Sequence, residues 1–147
     1  MSKIVQFPKT ISIAFYSLVF LALSERKMNA DEIAHYTQSS KYHTAYILKN
    51  LVKNGYLISV RGPEGGFDLK IPPGKIRLLD IWEIVEGKFI IKGCLNDHMA
   101  CFCDVCIFSD KIYNIHKELY DFLNKNTIDH LIQQVPQTIR KNLILNQ

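Results

Sequence analysis

Leu51-Val-Lys-Asn-Gly-Tyr-Leu-Ile-Ser-Val-Arg-Gly-Pro-Glu-Gly-Gly-Phe67 holds the end of one element, a turn and two more elements in a single short stretch. Gly55 suits the left-handed position that follows a helix. Residues 56–60 and 67–71 are rich in β-branched and aromatic side chains and read as strands. Between them, Arg61-Gly-Pro-Glu-Gly-Gly66 permits positive φ at its glycines and fixes its turn at Pro63. Upstream, Ala45, Leu48, Leu51 and Val52 recur at helical spacing, and Ser39 or Ser40 can cap the helix that carries them. Lys41, His43, Lys49, Asn50 and Lys53 fall on its other face. Before the polar turn Thr37-Gln-Ser-Ser40, a short helix over residues 30–36 starts at Asn29, with Glu32 in capping-box spacing. Two short helices around a tight turn, the second basic on its free face, describe a helix-turn-helix. A hairpin directly after the second helix is a wing, with Arg61 at its tip.

The charge pattern agrees. The 147 residues carry a net charge of +4, but residues 39–77 alone hold seven basic side chains (Lys41, Lys49, Lys53, Arg61, Lys70, Lys75, Arg77) against Glu64 and Asp68. Residues 78–147 hold seven basic and nine acidic ones. The positive charge therefore belongs to the segment that would meet a polyanion.

Residues 11–23 are apolar apart from Ser12 and Ser17. That run is shorter than the roughly 20 residues a membrane span needs. Lys3 and Lys9 ahead of it resemble the start of a secretory signal, but no small-residue cleavage site follows, and Pro8 with Glu25-Arg-Lys27 suits a buried first helix. The expected compartment is the reducing cytoplasm, without a membrane partner. Downstream, Pro72-Pro-Gly74 closes the hairpin unit. A short helix over 79–86 turns Ile81, Ile84 and Val85 inward and stops at Gly87. A longer helix starting at Ser109 or Asp110 carries Ile112, Ile115, Leu119, Phe122 and Leu123, a stripe that is either core or dimer seam. A last helix opens at Thr127 and precedes Pro136.

All four cysteines lie between these helices, at Cys94, Cys101, Cys103 and Cys106, beside His98, Asp97 and Asp104. Gathered thiols in a reducing compartment favour metal or redox work over structural disulfides. Soft sulfur ligands suit iron–sulfur clusters or zinc, and thiol redox switching without a metal uses the same residues. No dinucleotide-binding glycine motif, P-loop, nucleophile elbow or zinc-protease motif occurs, so an enzyme is not expected. An electron carrier using these cysteines is the rival from another class.

Taken in this order, the chain resembles the IscR and NsrR regulators, bacterial winged helix-turn-helix proteins, over about residues 8–133. The opening stretch carries the resemblance, together with Ile76-Arg-Leu-Leu-Asp-Ile-Trp-Glu-Ile-Val-Glu-Gly87 and the pattern of Phe122, Leu123, Thr127, Ile128 and Leu131. It implies a mainly α fold with a small β-hairpin wing and a long C-terminal dimerisation helix. It also implies a homodimer on double-stranded operator DNA. Ser40, Tyr42 and His43 correspond to the family's base-contacting positions, and Arg61, Gly62 and Pro63 lie at the wing tip, while Lys41, Lys49 and Lys53 on the basic face are the expected phosphate contacts. Sensing members bind a cluster (2Fe–2S or 4Fe–4S) through three cysteines and one further ligand, which points to Cys94, Cys101 and Cys106, with zinc as the alternative. Cys103, His98 and Asp104 are candidates to complete the site. Ala100 stands where the middle cysteine is expected, and Ser109 and Ser12 replace the histidine and acidic ligands of relatives. Ala45 and Glu64 also depart from the family pattern. The expected division is residues 1–78 for DNA binding and 79–147 for the cysteine loop and dimerisation. His116 reads as a solvated side chain.

Overall fold

The computed structural model describes residues 7–93, 108 and 110–145. Helix α1 (Lys9–Ser24) runs through the centre, with Ile11, Ile13, Ala14, Leu18, Val19 and Leu21 buried. Its two buried serines lose no hydrogen bond: Ser17 donates to the Ile13 carbonyl at 2.6 Å and Ser24 to that of Arg26 at 2.9 Å. The apolar run near the N-terminus is thus a core helix. Among the described residues no helix is long and apolar enough to cross a membrane.

Helix α2 (Ala30–Thr37) opens on the expected capping box: Asn29 accepts from the Glu32 amide at 2.9 Å and Glu32 accepts from the Asn29 amide at 2.8 Å. Such a cap stabilises by about 1 kcal/mol. Helix α3 (Lys41–Lys53) follows after Gln38 in the left-handed region, with Ser40 accepting from the His43 amide at 3.2 Å. A chain of hydroxyls fixes the turn between them, Thr37 to Ser39 at 2.7 Å and Ser39 to Thr44 at 2.6 Å. The stripe of α3 differs in phase from the sequence reading. Thr44, Ile47, Leu48 and Leu51 are buried, whereas Ala45 and Val52 are half-buried. Thr44 can sit in the core because Ser39 satisfies its hydroxyl, and apolar periodicity does not flag a threonine.

Strands β1 (Leu57–Val60) and β2 (Gly66–Leu69) pair antiparallel, Leu57 opposite Leu69 and Val60 opposite Gly66. The hairpin does not stand alone. Met28 and Phe67 exchange backbone hydrogen bonds at 3.1 and 2.8 Å, so the loop between α1 and α2 adds a single bridge on the other edge of β2. Gly66 makes this possible, since a Cβ there would lie 2.8 Å from the Met28 carbonyl oxygen.

A 3-10 turn (Pro73–Lys75) leads to helix α4 (Leu78–Glu86), which ends at Gly87 with φ +87°. Helix α5 (Lys111–Lys125) packs on α4, and α6 (Ile128–Gln134) packs on α1. The segment entering α6 is stitched to the one entering α4, Leu78 donating to Asn126 at 3.0 Å and Ile128 to Ile76 at 2.9 Å. Helix α7 (Gln137–Leu145), against α1, has no counterpart in the sequence reading, which stopped at Pro136. One apolar core joins α1, α3, the hairpin and α4 to Leu123 of α5 and Ile128 of α6.

Candidate nucleic-acid interface

The capped N-terminus of α3 and the wing are both exposed in the basic segment. Ser40 is exposed and spends its side chain on the helix cap. Tyr42 is 86% exposed and Tyr46, one turn on, 70% exposed. Two phenols uncovered one turn apart on a helix contribute no packing to the free protein, and base edges or phosphates are what such a face can meet. Tyr46 escaped the sequence reading because a tyrosine at helical spacing is ordinarily assigned to a core stripe. His43 is half-buried, with its backbone in the cap. Lys49 and Lys53 are exposed along α3.

Lys41 is less free than its position suggests, for its ammonium pairs with Asp31 in the first turn of α2. That hydrogen bond and the attached negative charge raise the Lys41 pKa above its ordinary value. Arg26 is held in turn by Glu32 at 2.9 Å.

At the wing tip Arg61, Gly62, Pro63 and Glu64 are all exposed. Gly62 has φ +117°, and the Gly65 amide closes the turn on the Gly62 carbonyl at 2.9 Å. The turn is tight enough that a Cβ on Gly65 would collide with the Val60 carbonyl. Arg61 therefore projects from a rigid turn that is tied to Met28 through β2.

Behind the interface, Asn50 of α3 donates from Nδ2 to the Ile84 carbonyl in the last turn of α4, at 3.1 Å. Beyond α4, Phe89 donates its amide to Glu83 at 3.2 Å and its ring sits between Trp82 and Tyr120. His116 is half-buried, and its Nδ1 lies within hydrogen-bonding distance of the Lys92 backbone. This is a tethered histidine rather than a solvated one.

The cysteine segment, with Cys94, Cys101, Cys103, Cys106, His98 and Asp104, lies outside the described residues, as does Ser109. Among the described residues no cluster of histidine, cysteine, aspartate or glutamate could hold a metal ion. Ser12 lines an apolar groove of about 680 Å³ between α1, α6 and α7. The stripe on α5 is partly uncovered: Leu123 is buried, Ile112 and Leu119 are half-buried, but Ile115 is 54% and Phe122 43% exposed.

A helical pair with an exposed, capped second helix and an adjoining β-hairpin defines a winged helix-turn-helix DNA-binding protein. The chain belongs to the Rrf2 family, described as iron-dependent transcriptional regulators, which matches residues 7–134. It is 33% identical over 130 residues to a protein of Aquifex aeolicus assigned as a helix-turn-helix transcriptional regulator, covering 86% of this chain and 90% of the relative. In fold it is similar to CymR of Bacillus subtilis, titled the global cysteine regulator, with TM-score 0.72 and 19% identity over 90% of this chain and all of the other. It is likewise similar to IscR of T. potens, with TM-score 0.67 and 20% identity over 90% and 93% of the two chains. The chain is a DNA-binding transcriptional regulator and not an enzyme.

Proposed function

We propose that this regulator is a homodimeric repressor whose grip on a two-fold-related operator is set by an iron–sulfur cluster held at Cys94, Cys101 and Cys106. The observation that carries the DNA half is the exposed pair Tyr42 and Tyr46 on a capped helix, together with Arg61 exposed at a tightly turned wing tip. Lys41, Lys49 and Lys53 neutralise phosphates, and binding weakens steeply with salt as counterions are released. Tyr42, His43 and Tyr46 read base edges in the major groove, while Arg61 enters the neighbouring minor groove. A single recognition helix covers too little duplex for specificity, and the exposed Ile115 and Phe122 on α5 support a two-fold partner.

The sensing half rests on the donor set: four thiols within thirteen residues suit a soft metal centre. Such a cluster, when bound through three thiolates, supplies an iron that oxidants or nitric oxide can reach. The chain's own contribution is to hold the thiolates and to connect them to α4 and α5. Functionally the division falls near residue 78, with DNA contacts before it and sensing and pairing after it. Anaerobic purification with an absorption spectrum, analysis for iron, sulfide and zinc, and duplex titrations at several salt concentrations test both halves. Iron with sulfide is expected; zinc without iron, or a metal-free protein responding only to thiol oxidation, removes the cluster and leaves the DNA half standing.

A further inference from the structure

His116 grips the chain just before the cysteine segment begins. Its Nδ1 lies 3.1 Å from the Lys92 amide nitrogen and 2.9 Å from the Lys92 carbonyl oxygen. One ring nitrogen thus serves either group, accepting from the amide in one tautomer and donating to the carbonyl in the other. One turn along the same face of α5, the Tyr120 ring packs against Phe89 at 5.8 Å, and Phe89 packs against Trp82 of α4 at 5.2 Å. The Glu83 carboxylate accepts from the Phe89 amide at 3.2 Å. Residues 89–92 are therefore fastened to α4 at two points and to α5 at two.

We propose that His116 is a positioning residue that transmits the state of the cysteine segment to α5. The inference rests on the sensor reading above and names the contact through which it acts. Lys92 stands two residues before Cys94, so a change in how Cys94 is held pulls first on the segment that His116 clasps. Ile115 precedes His116 by one residue, about 100° around the helix. With Phe122 it forms the exposed edge of α5, while His116, Tyr120 and Leu123 form the inward one. A shift of the clasped segment turns or slides α5 as a unit, moving Ile115 and Phe122 and thereby the spacing of two recognition helices in the dimer.

The test uses the full chain, purified anaerobically, as wild type, His116→Leu and His116→Asn. Leucine fills the space without a polar atom, whereas asparagine places one near the position of Nδ1. Two quantities are measured: amide hydrogen exchange over residues 89–93, and the ratio of operator affinities before and after exposure to air. Wild type should show a ratio of about 5- to 150-fold. His116→Leu should exchange about two- to tenfold faster over 89–93, with its affinity ratio collapsed towards one, and His116→Asn should recover most of the ratio. A His116→Leu protein that keeps the wild-type ratio overturns the inference. So does one whose two affinities fall in parallel with the ratio intact, since that is a loss of structure alone. A wild-type ratio of one overturns the sensor reading instead, and the inference falls with it.

Discussion

Asn50 on the recognition helix satisfies the Ile84 carbonyl in the last turn of α4, at 3.1 Å. The last carbonyls of a helix have no intrahelical partner, so this bond completes α4 with a side chain from α3. It also gives the recognition helix a polar tie to the helix that precedes the cysteine segment. Asn50→Leu should cost about 1 kcal/mol in stability, because a part-buried carbonyl loses its partner. Chemical denaturation checks this, and an unchanged midpoint would show that the bond carries nothing.

The wing and the flank of α3 make separable contributions. Arg61→Ala should weaken the preferred duplex by about 1–3 kcal/mol and relax sequence preference beside the wing. Lys49→Ala should weaken all duplexes alike and lower the salt slope by about one counterion. Titrations on preferred and scrambled duplexes distinguish the two, and two variants with wild-type affinity would remove these contacts from the interface.

Dimerisation is best probed at Ile115, since Leu119 also packs on the core and its replacement would confound association with folding. Ile115→Glu should give a folded monomer by sedimentation, with circular dichroism unchanged and specific DNA binding lost. A dimeric Ile115→Glu protein would place the seam elsewhere.

Burial pushes the Glu32 pKa up, but hydrogen bonds from the Asn29 amide and Arg26, with the Arg26 charge, outweigh it and leave the value below the ordinary 4.5. A lowered folded-state pKa means that the stability is present above the unfolded value and lost as pH falls through the folded one. Wild type should therefore lose more stability than Glu32→Gln between roughly pH 5 and pH 3, the range in which carboxylates titrate. Thermal melts of the pair across that range check the sign.

Much of this architecture was legible in local chemistry. Asn29 and Glu32, Ser40, Gly55 and Gly87 each mark a helix end through their own backbone or side-chain needs, and the structure places helix ends beside all of them. The glycine-rich turn around Pro63 announced the wing. Less legible were features that depend on a distant partner. Thr44 enters the core only because Ser39 meets its hydroxyl, the hairpin gains an outer bridge from Met28, and His116 is tethered by Lys92. Helix α7 follows Pro136 with polar residues and weak apolar periodicity, so its docking on α1 had no local sign. At the interface the basic residues stood out by charge, whereas Tyr46 is marked only by its exposure.

In the proposed mechanism, metal bound by Cys94, Cys101 and Cys106 sets DNA affinity. One measurement meets it directly: the dissociation constant for a selected duplex, taken on a single anaerobic preparation of known iron, sulfide and zinc content, before and after the metal is stripped with a chelator. The starting protein should contain iron and sulfide, and stripping should change the affinity by about 5- to 150-fold. Zinc without iron, or the same dissociation constant in both states, would contradict it.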